Sequence, residues 1–302
     1  MYRTIVVGSD GYERGRGAVS LAHAIASAAG APLVLVGVHH NPPLPFPERY
    51  ADQRTELEHA LRAMRDELAP EAIIRVAAGL SPAHALRHVA AAEEADLLIV
   101  GSRHRRRLQR IVESDHAMQV LHGAPCAVAV APDPLAPDAQ LQRIGVGIDS
   151  TPESELALAM ARDLAERTGA RLWLHAVVDD TIASWVGLSA MASPADVFRD
   201  IIDVRLDVAR ELLAERLERC RGVPADGTVV VGSPAGELIL ASEGLDLLVL
   251  GSRRWGPVRR LALGSTSERV IRHTACPVLV PPRDAASEHG DAKSDAVDHP
   301  LP

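Results

Sequence analysis

The residues most suited to chemistry lie in one loop, GSRRWGPVRRLALGST, residues 251–266. Gly251-Ser252 and Gly264-Ser265-Thr266 bracket a basic segment with Arg253, Arg254, Arg259 and Arg260. Glycines let a backbone approach an anion and aim N–H groups at it. Hydroxyls and a helix N-terminus at Ser265–Ser267 add donors and a favourable dipole. The chemistry this suits is phosphate binding. A tight strand-to-helix corner, with Gly251 in the turn and Ser265 as N-cap, would leave the same pattern without a ligand.

Other phosphate and active-site chemistries find no residues here. Lys293 is the single lysine of the 302-residue chain, so a Walker A loop, a Schiff base and a lysine base are excluded together. GYERGRG (11–17) has the glycine spacing of short-chain dehydrogenases, but the lysine four residues after their catalytic tyrosine is missing. No nucleophile elbow occurs, and no His/Cys cluster has metal-ligand spacing; His39-His40 is read as a loop or surface pair.

The elements that position the loop follow from an internal repeat. ADLLIVGSRHRRRLQRIVESDHAMQVLHGAPCAVAVAP (95–132) aligns without a gap on LDLLVLGSRRWGPVRRLALGSTSERVIRHTACPVLVPP (245–282), 150 residues later. TIVVGSDG (4–11) likewise matches RIGVGIDS (143–150). The chain therefore divides into a first domain at 1–132, a proline-rich linker at 133–141, a second domain at 142–282 and a polar tail at 283–302 expected to be disordered. Short apolar strands alternate with helices in each copy. Leu156, Met160 and Leu164 mark a helix that Gly169 stops, and Ser265–Thr274 marks another. The pattern predicts an α/β fold of two tandem doubly wound parallel sheets, Rossmann-like, with five strands per copy. Ligands in such folds sit beyond the carboxyl ends of the strands, where Asp149 and Gly251 fall. The segment 181–222, with Trp185, either lids that end or covers the sheet.

Composition bounds the setting. A net charge of −8 argues against a nucleic-acid binder. No apolar run reaches the ~20 residues of a membrane span, and the N-terminus lacks a signal peptide. Three cysteines make no disulfide framework, so a cytoplasmic location is expected. Cys126 and Cys276 read as small buried hydrophobes.

Over nearly all of residues 1–282 the chain resembles the universal stress protein family in its tandem two-domain form. The resemblance rests on the family's G-x2-G-x9-G-[ST] pattern, here Gly251, Arg254 in the second position, and Gly264-Ser265. It rests also on the closing strand CPVLV (276–280), on Asp149 with its counterpart Asp10, and on His175-Ala176 after the second strand. The resemblance implies an adenine nucleotide such as ATP, with Mg²⁺ as a possible companion. Its triphosphate would lie between Gly251 and Gly264-Ser265-Thr266-Ser267, Ala176 and Leu250 would flank the adenine, and Asp149 would stand near the nucleoside. Arg254 either strains the turn or swings its guanidinium onto the phosphates.

Copy one has Gly101, His104, Ser114 and Asp115 at these positions. An Asp115 carboxylate about 4 Å from a phosphate charge costs roughly 4 kcal/mol at a dielectric of ~20, so copy one is expected not to bind nucleotide well. Family members pair through their last strands, which implies that CAVAV (126–130) faces CPVLV (276–280) as an intramolecular pseudo-dimer, with homodimerisation and protein partners as further possibilities. The function implied is a nucleotide-binding stress regulator with no catalytic residues and at most slow incidental hydrolysis. A nucleotide-free interaction scaffold of the same fold is the alternative, and an enzyme the third reading.

Overall fold

In the computed structural model, the described residues are 2–40, 47–102, 116–132, 135, 140–180, 195–252 and 264–282. The linker (apart from Leu135, Gln140 and Leu141), the tail, the loop residues 253–263, residues 103–115 and residues 181–194 lie outside them. The first copy runs β1 (Ile5–Gly8), a 3₁₀ turn (Glu13–Gly15), α1 (Arg16–Ala29), β2 (Leu33–His40), α2 (Pro47–Leu68) and β3 (Ile73–Gly79). It continues through α3 (Pro82–Ala92), β4 (Leu97–Gly101), α4 (His116–Leu121) and β5 (Ala127–Ala131). The second copy repeats the order: β6 (Arg143–Ile148), α5 (Pro152–Thr168), β7 (Arg171–Asp179), α6 (Ala195–Arg219) and β8 (Ala225–Gly232). It closes with α7 (Pro234–Ser242), β9 (Leu247–Val249), α8 (Ser265–His273) and β10 (Val278–Val280).

All ten strands form one sheet in the order β3-β2-β1-β4-β5-β10-β9-β6-β7-β8. Within each copy the pairing is parallel, β1 lying between β2 and β4, and β6 between β7 and β9. The two halves meet where β5 and β10 pair antiparallel, Val130 opposite Val278 and Val128 opposite Val280. These edges are apolar and buried to 2% exposure or less. Pairing them removes two hydrophobic edges that would otherwise template further strand addition.

The sheet separates two cores because side chains alternate across it. Ile5, Val7, Ile144, Val146 and Leu174 point to the face covered by α1, α2, α5 and α6. Val6, Leu98, Val128, Leu248 and Val278 point to the face covered by α3, α4, α7 and α8. Both faces are covered, which is why the strands read as continuous apolar runs.

Details depart from the sequence expectations in instructive ways. The buried stripe of α5 is Ala157, Ala161, Leu164 and Ala165, while Leu156 and Met160 sit at its half-exposed margin. Small residues let this helix lie close to the sheet, and the larger side chains rim the contact. β7 extends to Asp179, so His175 is in mid-strand rather than after it. β8 begins at Ala225, ahead of the apolar run Val229–Val231.

Candidate functional site

Four chain ends converge at the switch point between β6 and β9. The end of β6 leads through Asp149 into α5, and the end of β9 leads through Leu250 to Gly251-Ser252. Local chemistry builds the first corner. The Asp149 carboxylate accepts from the Thr151 backbone N–H at 2.8 Å and from the Thr151 hydroxyl. Thr151 then caps α5, its Oγ1 accepting from the Ser154 N–H at 3.3 Å, with Pro152 next in the first turn. Thr-Pro at a helix start is a readable signal of this corner. Asp149 is exposed, with part of its hydrogen-bonding capacity spent on shaping the turn.

The second corner locks onto the first. The Asp149 N–H donates to Ser154 Oγ at 2.9 Å. A Cβ on Gly251 would stand 3.0 Å from the Glu153 carbonyl carbon and 3.1 Å from the Ser154 nitrogen, so only glycine lets β9 end this close to α5. Ser267 Oγ donates to the Gly251 carbonyl at 3.0 Å and ties the start of α8 to the end of β9. Gly264 is the N-cap of α8 in an extended conformation (φ −81°), with no side-chain cap. Ser265 is therefore the first helical residue, not the cap. An N-cap serine would have met one first-turn N–H with its hydroxyl, and glycine cannot. The first intrahelical bond is Glu268 N–H to the Gly264 carbonyl at 2.9 Å, so the amides of Ser265, Thr266 and Ser267 precede the helix's own ladder. Ser252 Oγ lies buried beside Gly251 and has no hydrogen-bond partner among the described residues. Three early amides at a dipole's positive end and an unsatisfied hydroxyl fit an anionic group.

The structure thus brings together Asp149, Gly251, Gly264, Ser265, Thr266 and Ser267. Arg254 lies outside the described residues, as do His104, Ser114 and Asp115. Ala176 and Leu250 are not brought onto one wall. Ala176 (2% exposed) belongs to the core under α5 and α6, whereas Leu250 (3%) belongs to the core on the opposite face. Leu250 leans on Gly147, where a Cβ would stand 2.7 Å from its Cδ2. His175, adjacent to Ala176, turns to the other face, where burial holds its imidazole below the ordinary histidine range and Nε2 has no partner among the described residues. Thr151, Ser154 and Ser252 are site residues that the spacing pattern did not single out. Among the described residues no group of His, Cys, Asp and Glu could hold a metal ion, and no helix is long and apolar enough to cross a membrane.

The universal stress protein family's sequence profile matches residues 1–132 and again 140–282. The chain belongs to that family, in tandem form. The universal stress protein Rv2005c of Mycobacterium tuberculosis is 31% identical over 296 residues, covering 91% of this chain and 96% of the relative. Among solved structures, a universal stress protein from Archaeoglobus fulgidus superposes with a TM-score of 0.66 at 20% identity, covering 94% of this chain and 97% of that one. A universal stress protein from Pseudomonas aeruginosa gives a TM-score of 0.60 at 19% identity, covering 93% and 94%. These structural likenesses establish the shared fold.

Proposed function

We propose that this chain is a regulatory stress protein of the cytoplasm that binds ATP or a related adenine nucleotide in its second copy. The observation that carries this reading is the N-terminus of α8, tied to the end of β9 by the Ser267–Gly251 bond at the switch point. The amides of Ser265–Ser267 would take the phosphates, with Ser252 Oγ as a further donor and Asp149 at the nucleoside side. A companion Mg²⁺ would draw its remaining ligands from the phosphates and water. Asp149, the exposed carboxylate of this corner, is engaged by Thr151, and the reading is binding, not turnover.

A nucleotide-free scaffold draws support from two observations. Gly251 is required for packing against Glu153 and Ser154 whether or not an anion is present, and Ala176 and Leu250 are both engaged in cores on opposite faces. Gly264→Asp separates the two readings. The extended backbone accepts any residue, and no described atom lies within 4 Å of the added Cβ. Aspartate is also a good N-cap. The variant should fold at least as stably as the parent while placing a carboxylate over the three amides. Calorimetric titration of ATP–Mg²⁺ should give one site per chain in the parent and none in Gly264→Asp. Absence of heat and of thermal shift in the parent at millimolar ATP supports the scaffold.

A further inference from the structure

A cavity of about 360 Å³ opens on the seam between the two copies, on the face carrying α3, α4 and α8. Ser81, Ala83, Arg87 and Met118 line it from copy one, and Glu268 and Arg272 from copy two. Its size falls in the range of small-molecule sites. Arg87 is braced from behind by a hydrogen bond to the His122 carbonyl, and among the described residues no carboxylate pairs with it. Arg272 pairs with Glu268 at 3.0 Å on the same helix. The lining therefore carries two guanidiniums against one carboxylate, in a chain whose net charge is −8. Ala83 and Met118 supply a buried apolar wall. The charge is not a by-product of the repeat. SPAHALR (81–87) matches SPAGELI (233–239), so the position of Arg87 is Ile239 in copy two.

We infer that this seam cavity binds a small organic anion bearing one phosphate or carboxylate on a compact carbon body. Arg87 receives the anionic group, because among the described residues its charge is the uncompensated one and its planar fork suits two oxygens. The body lies against Ala83 and Met118. The site needs both copies, since neither half alone supplies the two sides of the cavity. It stands apart from the nucleotide reading, because α8 lines it with the side chains of Glu268 and Arg272 and not with the amides of Ser265–Ser267.

The test uses the full chain carrying Gly264→Asp, which closes the other candidate anion site. The probe is 3-phosphoglycerate, compared with inorganic phosphate, followed by calorimetry and by the ¹³C-methyl signal of Met118. Saturable binding at one site per chain is expected, with the Met118 methyl shifting along the same curve. Arg87→Gln should weaken it about tenfold or more, the equivalent of one charge-assisted bond. Arg272→Gln, at a more exposed position, provides the second variant should loss of the His122 brace unfold α4, and it should weaken binding too. No saturation at millimolar probe, a Met118 signal that does not move, or affinity unchanged in the variants overturns the site. Equal affinity for inorganic phosphate overturns the organic body. ATP titration of the parent chain is read separately, so failure of the nucleotide reading leaves this result intact.

Discussion

Two glycines of the candidate loop have different reasons for being glycine. Gly251 stands where β9 and the first turn of α5 touch, and a Cβ there would press on backbone atoms of Glu153 and Ser154, which cannot rotate away. Gly251→Ala should therefore force α5 off the sheet and cost about 1–3 kcal/mol, the usual range for overpacking. Gly264→Ala meets no described atom within 4 Å and has an ordinary φ, so only a modest capping loss is expected. Chemical denaturation of the two variants should separate them clearly; equal destabilisation would contradict the assignment. The spacing of glycines showed that a corner existed at 251 and a helix start near 264. It could not show that Gly251 answers to a helix a hundred residues earlier, because that contact is made by the topology. Nor could it show that Ala176 and Leu250 face opposite ways. Side chains alternate along a strand, and which face of the sheet each alternate set meets was set by the packing of the helices on it. The thiols of Cys126 and Cys276 did read correctly as buried groups; desolvation pushes both up to about 12.

At the level of elements, the two copies close the same joint with opposite charges. In copy one, Arg16 at the start of α1 pairs with Glu67 in the last turn of α2, Nη1 to Oε2 at 2.8 Å. In copy two, Glu155 in the first turn of α5 pairs with Arg216 at 2.8 Å and Arg219 at 3.3 Å near the end of α6. Arg16 and Glu155 are equivalent, each six residues after the aspartates Asp10 and Asp149. A misfolded chain that docked α1 on α6 would set Arg16 against two arginines, and α5 on α2 would set Glu155 against Glu67. Tandem repeats are prone to such exchange during folding, and reversed charges disfavour it. Glu67→Arg should lower stability and yield of monomer, and Arg16→Glu with Glu67→Arg should restore stability but not refolding yield. Recovery of full refolding yield in the double variant would remove the argument for specificity. The Arg16 hydrogen bond holds the Glu67 carboxyl below its usual range. A depressed carboxylate contributes stability above its unfolded pKa and loses it as pH falls through the folded value. The gap between the parent and Glu67→Gln should therefore shrink on acidification through the carboxylate range. None of this was visible in the repeat alignment alone, where 16 and 155 are simply mismatched.

For the whole molecule, the seam decides what the linker is for. The antiparallel β5–β10 ladder, with Val128, Ala129, Val130, Val278, Leu279 and Val280 all nearly inaccessible, joins the halves independently of residues 133–141. A second contact lies beside it: α1 packs on α5, and Tyr2 of copy one is buried near Asp163 and Arg167 of copy two. Burial and the Asp163 charge push the Tyr2 phenol well above its ordinary range. Pairing of CAVAV with CPVLV was an expectation that the family resemblance implied, and the burial of two apolar edges is its physical reason. The Tyr2 contact was not legible, because it depends on how the continuous sheet twists across the join. Within the linker, Leu135 packs against Gly17 of α1 and Leu141 is buried in the same core, and the covalent connection otherwise sets effective concentration. Cleavage at a protease site inserted between residues 133 and 139 should therefore leave a complex that elutes at the volume of the intact chain. Its two halves should separate only in denaturant, and its unfolding midpoint should become dependent on protein concentration, as mass action requires. Two half-size species at micromolar concentration would instead mean that the continuous sheet depends on covalent connection. The seam cavity, which needs both copies, would then exist only in the intact chain.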